Sequence, residues 1–358
     1  MTLPSVPGVL SEADIRATAA AIVAVQEPSG AIPWSPGEHV DIWNHVEAAM
    51  GLLVGGEVEA AERALDWVPT MQRHDGSWPM KIVRDEVEDA RGETNCSAYF
   101  AVGLWHHWLI RQDRAFLERH WDSARRGLNW VVSLQVPFGG IQWTPVDEFC
   151  LLTASSSVYQ SLRAGIALAE LLGDPQPEWE LAAGRLGHAV RHHRDLFADK
   201  SRFSMDWYYP VLGGAVRGRD GLDLLAPRWS DFVTPGYGAR CVDDNPWITG
   251  AETCELAMAL DALDDHTRAR EVYADMQQMR HESGAYWTGV VYGDREKGDV
   301  FWPVERTTYT AAAVILATDA LGSTFGTATA GAGIMRGDSL PAIPELAVDC
   351  DCLVPSRR

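Results

Sequence analysis

The sequence predicts an all-α protein, an (α/α)6 toroid of six inner and six outer helices. Three observations lead there. Amphipathic segments alternate with nearly all-apolar ones, the pattern expected of an outer ring packed around a buried inner ring. A Gln–Gly–Trp spacing recurs along the chain, clearest as Q-x-x-x-G-x-W at Gln72, Gly76 and Trp78, and such self-similarity marks repeat-built folds. Strand patterns are nearly absent, and only Gly289-Val-Val-Tyr292 reads as a short extended piece.

Taken in order, the first and polar-faced helix of each pair falls at about 11–26, 57–72, 114–135, 176–197, 219–232 and 264–280. The second members, rich in Ala, Gly and Ser, fall at about 41–54, 94–111, 150–172, 207–217, 247–263 and 305–321. Looser copies of the motif join them at Gln26…Gly30…Trp34, Gln135…Gly139…Trp143 and Gln278…Gly284…Trp287. In each, the glycine supplies a turn and the aromatic ring caps the next helix pair. The stretch from Tyr208 to Gly221, with one proline and four glycines, interrupts the pattern between the fourth and fifth pairs. Residues 1–322 read as one domain. From 323 to 358 helical periodicity is lost, and a tail that wraps the domain or stays mobile is expected.

A formal charge of −20 argues against nucleic acid and anionic membranes, both of which need clustered Lys and Arg. No run approaches the length of a membrane span, and Met1–Leu10 lacks the regions of a signal peptide. Six cysteines, at 96, 150, 241, 254, 350 and 352, have no framework spacing and read as reduced, in a cytoplasmic protein. No cofactor and no metal site are expected. A neutral ligand suits this charge best.

In a toroid the inner helices run parallel, so their N-termini and the loops before them meet at one end. The residues at those mouths include Trp34, His39, Asp41, Trp43, Asn44 and His45 from the first pair, then Glu93 and Asn95, then Trp143. Trp207 and Tyr208 follow from the fourth pair, Asp244, Asn245, Trp247 and Glu252 from the fifth, and Trp287, Glu305 and Tyr309 from the sixth. Carboxylates, amides and flat rings with few cations suit an oligo- or polysaccharide, because rings stack on sugar C–H faces and carboxylates meet hydroxyl groups. Capping is the plain alternative for an acid such as Asp41. Glu252 is harder to explain that way, since it sits within the helix beside Ala251 and near Cys254.

Glycosidic cleavage needs two carboxyl groups, one protonated to meet the leaving oxygen and one to activate water or attack the sugar. Trp247, Ile248 and Ala251 beside Glu252 are expected to raise its pKa by desolvation. Asn44, His45 and a helix N-terminus are expected to keep Asp41 ionised. The expectation is therefore an inverting hydrolase with Glu252 as general acid and Asp41 as general base, Asp244 and Glu305 standing in reserve. The other mouth residues named above are the expected substrate contacts.

Two resemblances add to this reading. The Q-x-x-x-G-x-W repeat resembles that of the squalene cyclase and protein prenyltransferase superfamily and implies the toroid. The acidic box of the cyclases is altered here to Cys241-Val-Asp-Asp244, and no zinc-binding Asp, Cys and His trio matches the prenyltransferases. The combination of His39-Val-Asp-Ile-Trp-Asn-His-Val-Glu-Ala-Ala-Met-Gly51, Glu93-Thr-Asn95, Asp243-Asp-Asn-Pro-Trp-Ile-Thr-Gly-Ala-Glu252 and Trp302-Pro-Val-Glu-Arg-Thr-Thr-Tyr309 resembles the mycobacterial endo-mannosidases that hydrolyse methylmannose polysaccharides. That resemblance implies inverting, endo-acting cleavage of an intracellular α-1,4-mannan by an Asp and a Glu, which map onto Asp41 and Glu252. A terpenoid cyclase, a sugar epimerase and a glycan-binding toroid without activity are the alternatives.

Overall fold

The computed structural model describes residues 2–294 and 298–347. The chain is mostly helical, and its helices in order are α1 (Glu12–Val23), α2 (Ile42–Val54), α3 (Val58–Trp67), α4 (Thr94–Arg111), α5 (Arg114–Val132), α6 (Leu152–Leu172) and α7 (Pro177–His192). There follow α8 (Ser204–Leu212), α9 (Gly218–Leu225), α10 (Trp229–Phe232), α11 (Gly250–Asp261), α12 (His266–Asp275), α13 (Thr308–Gly322) and α14 (Gly333–Arg336). Short polar side chains set several starts. Ser11 and Asp14 form a reciprocal capping box on α1, and Asp41, Asp113, Asp265 and Thr307 cap α2, α5, α12 and α13.

The apolar helices pack in a closed order: α2 on α4, α4 on α6, α6 on α8, α8 on α11, α11 on α13, and α13 back on α2. Each carries an amphipathic partner outside, namely α3 on α2, α5 on α4, α7 on α6, α9 on α8, α12 on α11 and α1 on α13. Every residue of α13 is buried, which its run of Ala, Val, Ile and Leu permits. Small residues let backbones approach, and a Cβ on Gly51 of α2 would lie 3.1 Å from the Cα of Ala312.

The recurring motif has one physical meaning in three of its four copies. The side-chain amides of Gln26, Gln72 and Gln135 donate through Nε2 to the carbonyl of the motif glycine and to a carbonyl of the next outer helix, at Ala60, Ser123 and Ala182. Gly76 itself adopts φ +98°, and a Cβ there would meet the carbonyl oxygen of Arg126 at 2.6 Å. Each turn is thereby stapled to the following pair. Gln278 departs from this, bonding Gly236 and Asp275 instead.

The structure differs from the expected elements in three places. The fourth inner helix begins at Ser204 and stops at Leu212, where Gly213 and the positive-φ Gly214 end it. Residues 247–249, expected to open the fifth inner helix, form strand β5 (Trp247–Thr249) of a sheet ordered β5-β6-β7, with β6 at Gly289–Asp294 and β7 at Gly298–Phe301. Two further hairpins pair β1 (Lys81–Val83) with β2 (Glu86–Asp89) and β3 (Val233–Thr234) with β4 (Gly238–Ala239). The first turns through Arg84 and Asp85, both at positive φ, so the usual Asn-Gly signal of such a turn is missing.

Beyond α13 the described chain lies against the helices. Ile334 and Met335 of α14 are buried, and α14 packs on α4, α11 and α13. Gln160 and Arg163 of α6 bond the carbonyls of Ile334, Gly337, Leu340 and Pro341. Residues 348–358, with Cys350 and Cys352, lie outside the described residues.

Candidate active site

The site is built from the N-terminal turns of the inner helices. Asp41 caps α2, its Oδ1 accepting the Asn44 backbone N–H at 2.9 Å while the Asn44 amide donates to Oδ2. His39 Nε2 stands 3.9 Å from the same oxygen, and the Asp41 side chain is 13% exposed. Burial pushes the Asp41 carboxyl up, and the Asn44 bonds and His39 offset this only in part. Asn44 and the helix N-terminus, expected to keep Asp41 ionised, act against this burial. Desolvation inside a ring of helices outweighs one turn of backbone dipole.

Glu93 precedes α4 and accepts a hydrogen bond from the Cys96 thiol at 3.0 Å, with Trp143 beside it. Its carboxyl is also raised, by burial first and then by the charge of Asp41, which places both acids in one neighbourhood. Trp34 stacks on His39 and Tyr309, with centroids 6.2 and 5.7 Å apart, and donates to Glu305 Oε1 at 3.0 Å. Thr288 donates to the same oxygen. The mouths of α2, α4 and α13 are thus joined.

Glu252 lies in the first turn of α11 and is half-buried. The Cys241 thiol lies beside it, and its charge acts on Tyr208 of α8 and Tyr309 of α13. Through Tyr309, which stacks on Trp34, Glu252 is linked to the mouth of α2 that carries Asp41.

Below these acids lies a second pair, outside the set expected from the sequence. Glu47 accepts from the indole of Trp43 at 3.1 Å and from the Tyr99 hydroxyl at 2.8 Å. Glu255 accepts from Tyr209 at 2.6 Å, from Tyr309 at 2.7 Å and from Tyr208. Burial pushes Glu47 up to about 7 and Glu255 to about 8, and the repulsion between them adds to the rise of Glu255. Trp43 also meets the edge of Tyr209 across the ring, centroids 5.6 Å apart. Five inner helices supply this floor. A signal for it is present in the sequence: Glu47 and Glu255 each stand beside buried small and apolar residues of their helices.

Several expected contacts lie elsewhere. His45 is fully buried, its Nδ1 accepting the Ile32 N–H at 3.0 Å and its Nε2 facing the Ala64 carbonyl at 2.9 Å. Both ring nitrogens are used between α2 and α3, so His45 cannot meet a ligand. Trp207 turns away from Tyr208, donates to the Leu225 carbonyl and stacks on Phe232, because successive helical residues point about 100° apart. Asp244 is exposed in an ion pair with Arg202 at 2.8 Å, and Asn245 beside it is exposed. Trp247 packs edge-on to Trp302 and donates to its carbonyl. Trp287 stacks on Phe301 and under Arg306, lining a hollow beside α1 with Ala20 and Ala24. Asn95 is buried in the first turn of α4, and its Oδ1 has no partner among the described residues.

Burial holds the His45 imidazole down at about 4, below its ordinary 6.5. A depressed folded pKa gives stability that is complete above pH 6.5 and lost as pH falls toward 4. Urea unfolding should therefore show the advantage of the native protein over His45→Phe shrinking across that window, by up to about 1.4 kcal/mol per pH unit. A difference independent of pH contradicts this placement of His45.

No family model matches the chain. Over 359 aligned residues, 99% of this chain and 98% of the relative, it is 52% identical to an MMP endo-(1,4)-3-O-methyl-alpha-D-mannosidase of Mycolicibacterium hassiacum. The chain belongs to this mannosidase family. It is accordingly a glycoside hydrolase. Its fold is shared with a glycosidase solved in complex with glucose, at a TM-score of 0.70 and 16% identity over 88% of this chain and 97% of that one. It is also shared with a GH63 mannosylglycerate hydrolase from Thermus thermophilus, at a TM-score of 0.66 and 13% identity over 87% and 99% of the two chains. No helix among the described residues of this mannosidase-family chain is long and apolar enough to cross a membrane.

Proposed function

We propose that this chain cleaves α-1,4-linked, partly 3-O-methylated mannan internally and with inversion, inside an (α/α)6 toroid formed by residues 1–322. The observation that supports the mechanism is that Asp41 and Glu252 are partly buried acids at the starts of α2 and α11, two helices of one closed ring. The substrate class rests on the 52% identity to the named mannosidase.

The environments support the reverse of the expected roles. Asp41, whose carboxyl burial raises, holds a proton and gives it to the leaving glycosidic oxygen. Glu252, beside the Cys241 thiol, takes a proton from water as that water attacks C1 from the opposite face. The C1–O bond to the leaving sugar breaks while the C1–OH bond forms. Glu93, Trp143, Trp34, His39 and Tyr309 surround the acids and supply hydroxyl acceptors and flat faces.

A terpenoid cyclase would need an apolar floor, and the acid–tyrosine floor here argues against that rival. We place the protein in the cytoplasm, where the four described cysteines remain thiols. Incubation with methylated and unmethylated α-1,4-mannans should release reducing ends, with mid-length fragments early from the methylated polymer. Release of single sugars from one end would contradict endo action, and binding without new reducing ends would leave a glycan-binding module instead. An isoprenoid diphosphate should pass unchanged.

A further inference from the structure

We propose that His188, His192 and Glu345 form a divalent transition-metal site, of the zinc class, that clamps the C-terminal segment onto α7. His188 and His192 stand four residues apart, so both imidazoles project from one face of the helix. Glu345 comes from a segment more than 150 positions later in the chain, and one of its oxygens, Oε2, meets both rings: His188 Nδ1 at 3.2 Å and His192 Nε2 at 3.0 Å. Three donor atoms from the three residues lie within 4.8 Å of one another. Zinc bonds of about 2.0–2.1 Å to N and O ligands set tetrahedral ligand edges of roughly 3.3 Å, close to the two histidine–carboxylate separations. Two imidazoles and a carboxylate form a donor set that zinc takes with a water in the fourth position.

The surroundings fit a built site. The guanidinium of Arg191 pairs with the other oxygen of Glu345, Oε1, and so orients Oε2 toward the histidines. His188 is buried and His192 is open to solvent, which gives an ordered interior ligand and an entry path. The helix is shaped to receive the segment: a Cβ on Gly184 would lie 2.9 Å from the Pro344 carbonyl, and Leu346 N–H bonds the Gly184 carbonyl at 3.1 Å. The site lies on an outer helix and is separate from the carboxylates of the inner ring.

The test uses the full chain carrying Cys350→Ser and Cys352→Ser, which removes two thiols that would otherwise compete for the probe, Zn²⁺ alone. Competition against a chromogenic chelator should give one saturable site with Kd on the order of 1 µM or tighter. Glu345→Gln and His192→Ala should each weaken it by about tenfold or more. Zn²⁺ should also slow tryptic cleavage after Arg336 in the parent and leave both variants unaffected. Absence of a saturable site, or equal affinity in the variants, overturns the proposal. Thermal unfolding without metal confirms that the variants are folded.

Discussion

Replacing Glu252 by Gln is expected to lower kcat on mannan by about 10²–10⁴-fold, the range that a single general acid or base contributes. The amide keeps the side chain's shape and can still meet the Cys241 thiol, so thermal unfolding should barely move. KM should change little, because the lost interaction belongs to the transition state. Asp41→Asn should be as damaging on mannan, but the two variants should part on an α-mannosyl fluoride. Fluoride leaves without protonation, so the variant lacking the acid recovers activity there and the variant lacking the base does not. If Glu252→Gln recovers and Asp41→Asn stays inactive, the roles of the two acids are exchanged. Full activity of Glu252→Gln on mannan would remove this residue from the mechanism.

The second large effect concerns the floor. Glu255→Ala leaves the hydroxyls of Tyr208, Tyr209 and Tyr309 without their acceptor in a buried place. An unsatisfied buried polar group costs about 1–3 kcal/mol, and the cavity adds to that. A loss on the order of 3–6 kcal/mol is expected from urea unfolding. Glu255→Gln keeps an acceptor and removes the charge, so its effect depends on pH. The folded pKa of Glu255 is raised from 4.5 to about 8, so its contribution is fully present below pH 4.5 and lost as pH rises through 8. The native protein should therefore lose stability relative to Glu255→Gln by up to about 1.4 kcal/mol per pH unit between those limits. Parallel pH profiles would show that Glu255 is ionised throughout.

The architecture is legible in the sequence because its signals are periodic. Alternating amphipathic and apolar segments place most of the inner and outer helices close to where they occur, and the Gln–Gly–Trp spacing corresponds to a repeated hydrogen bond between a turn and the next outer helix. The hairpin at 81–89 is not legible, since its Arg84-Asp85 turn lacks the glycine that marks such tight turns. At the site, sequence order places acids and rings at the correct helix ends, but helical phase decides which of them face the interior. Tyr208 faces inward and its neighbour Trp207 outward. His45 follows Asn44, yet packs between helices with both nitrogens bonded. Glu47 and Glu255 stand deeper in apolar helices, below the mouths where the sequence concentrates its acids. The desolvation that raises the Asp41 carboxyl is not legible either, because it depends on what other parts of the chain cover.

Inversion by the Asp41–Glu252 pair is tested most directly by the anomeric configuration of the first product. Proton NMR during the early minutes of cleavage of methylated α-1,4-mannan should show the new reducing end appearing as the β-anomer, with the α-anomer growing in afterwards by mutarotation. First appearance of the α-anomer would mean retention through a covalent intermediate and would contradict the mechanism.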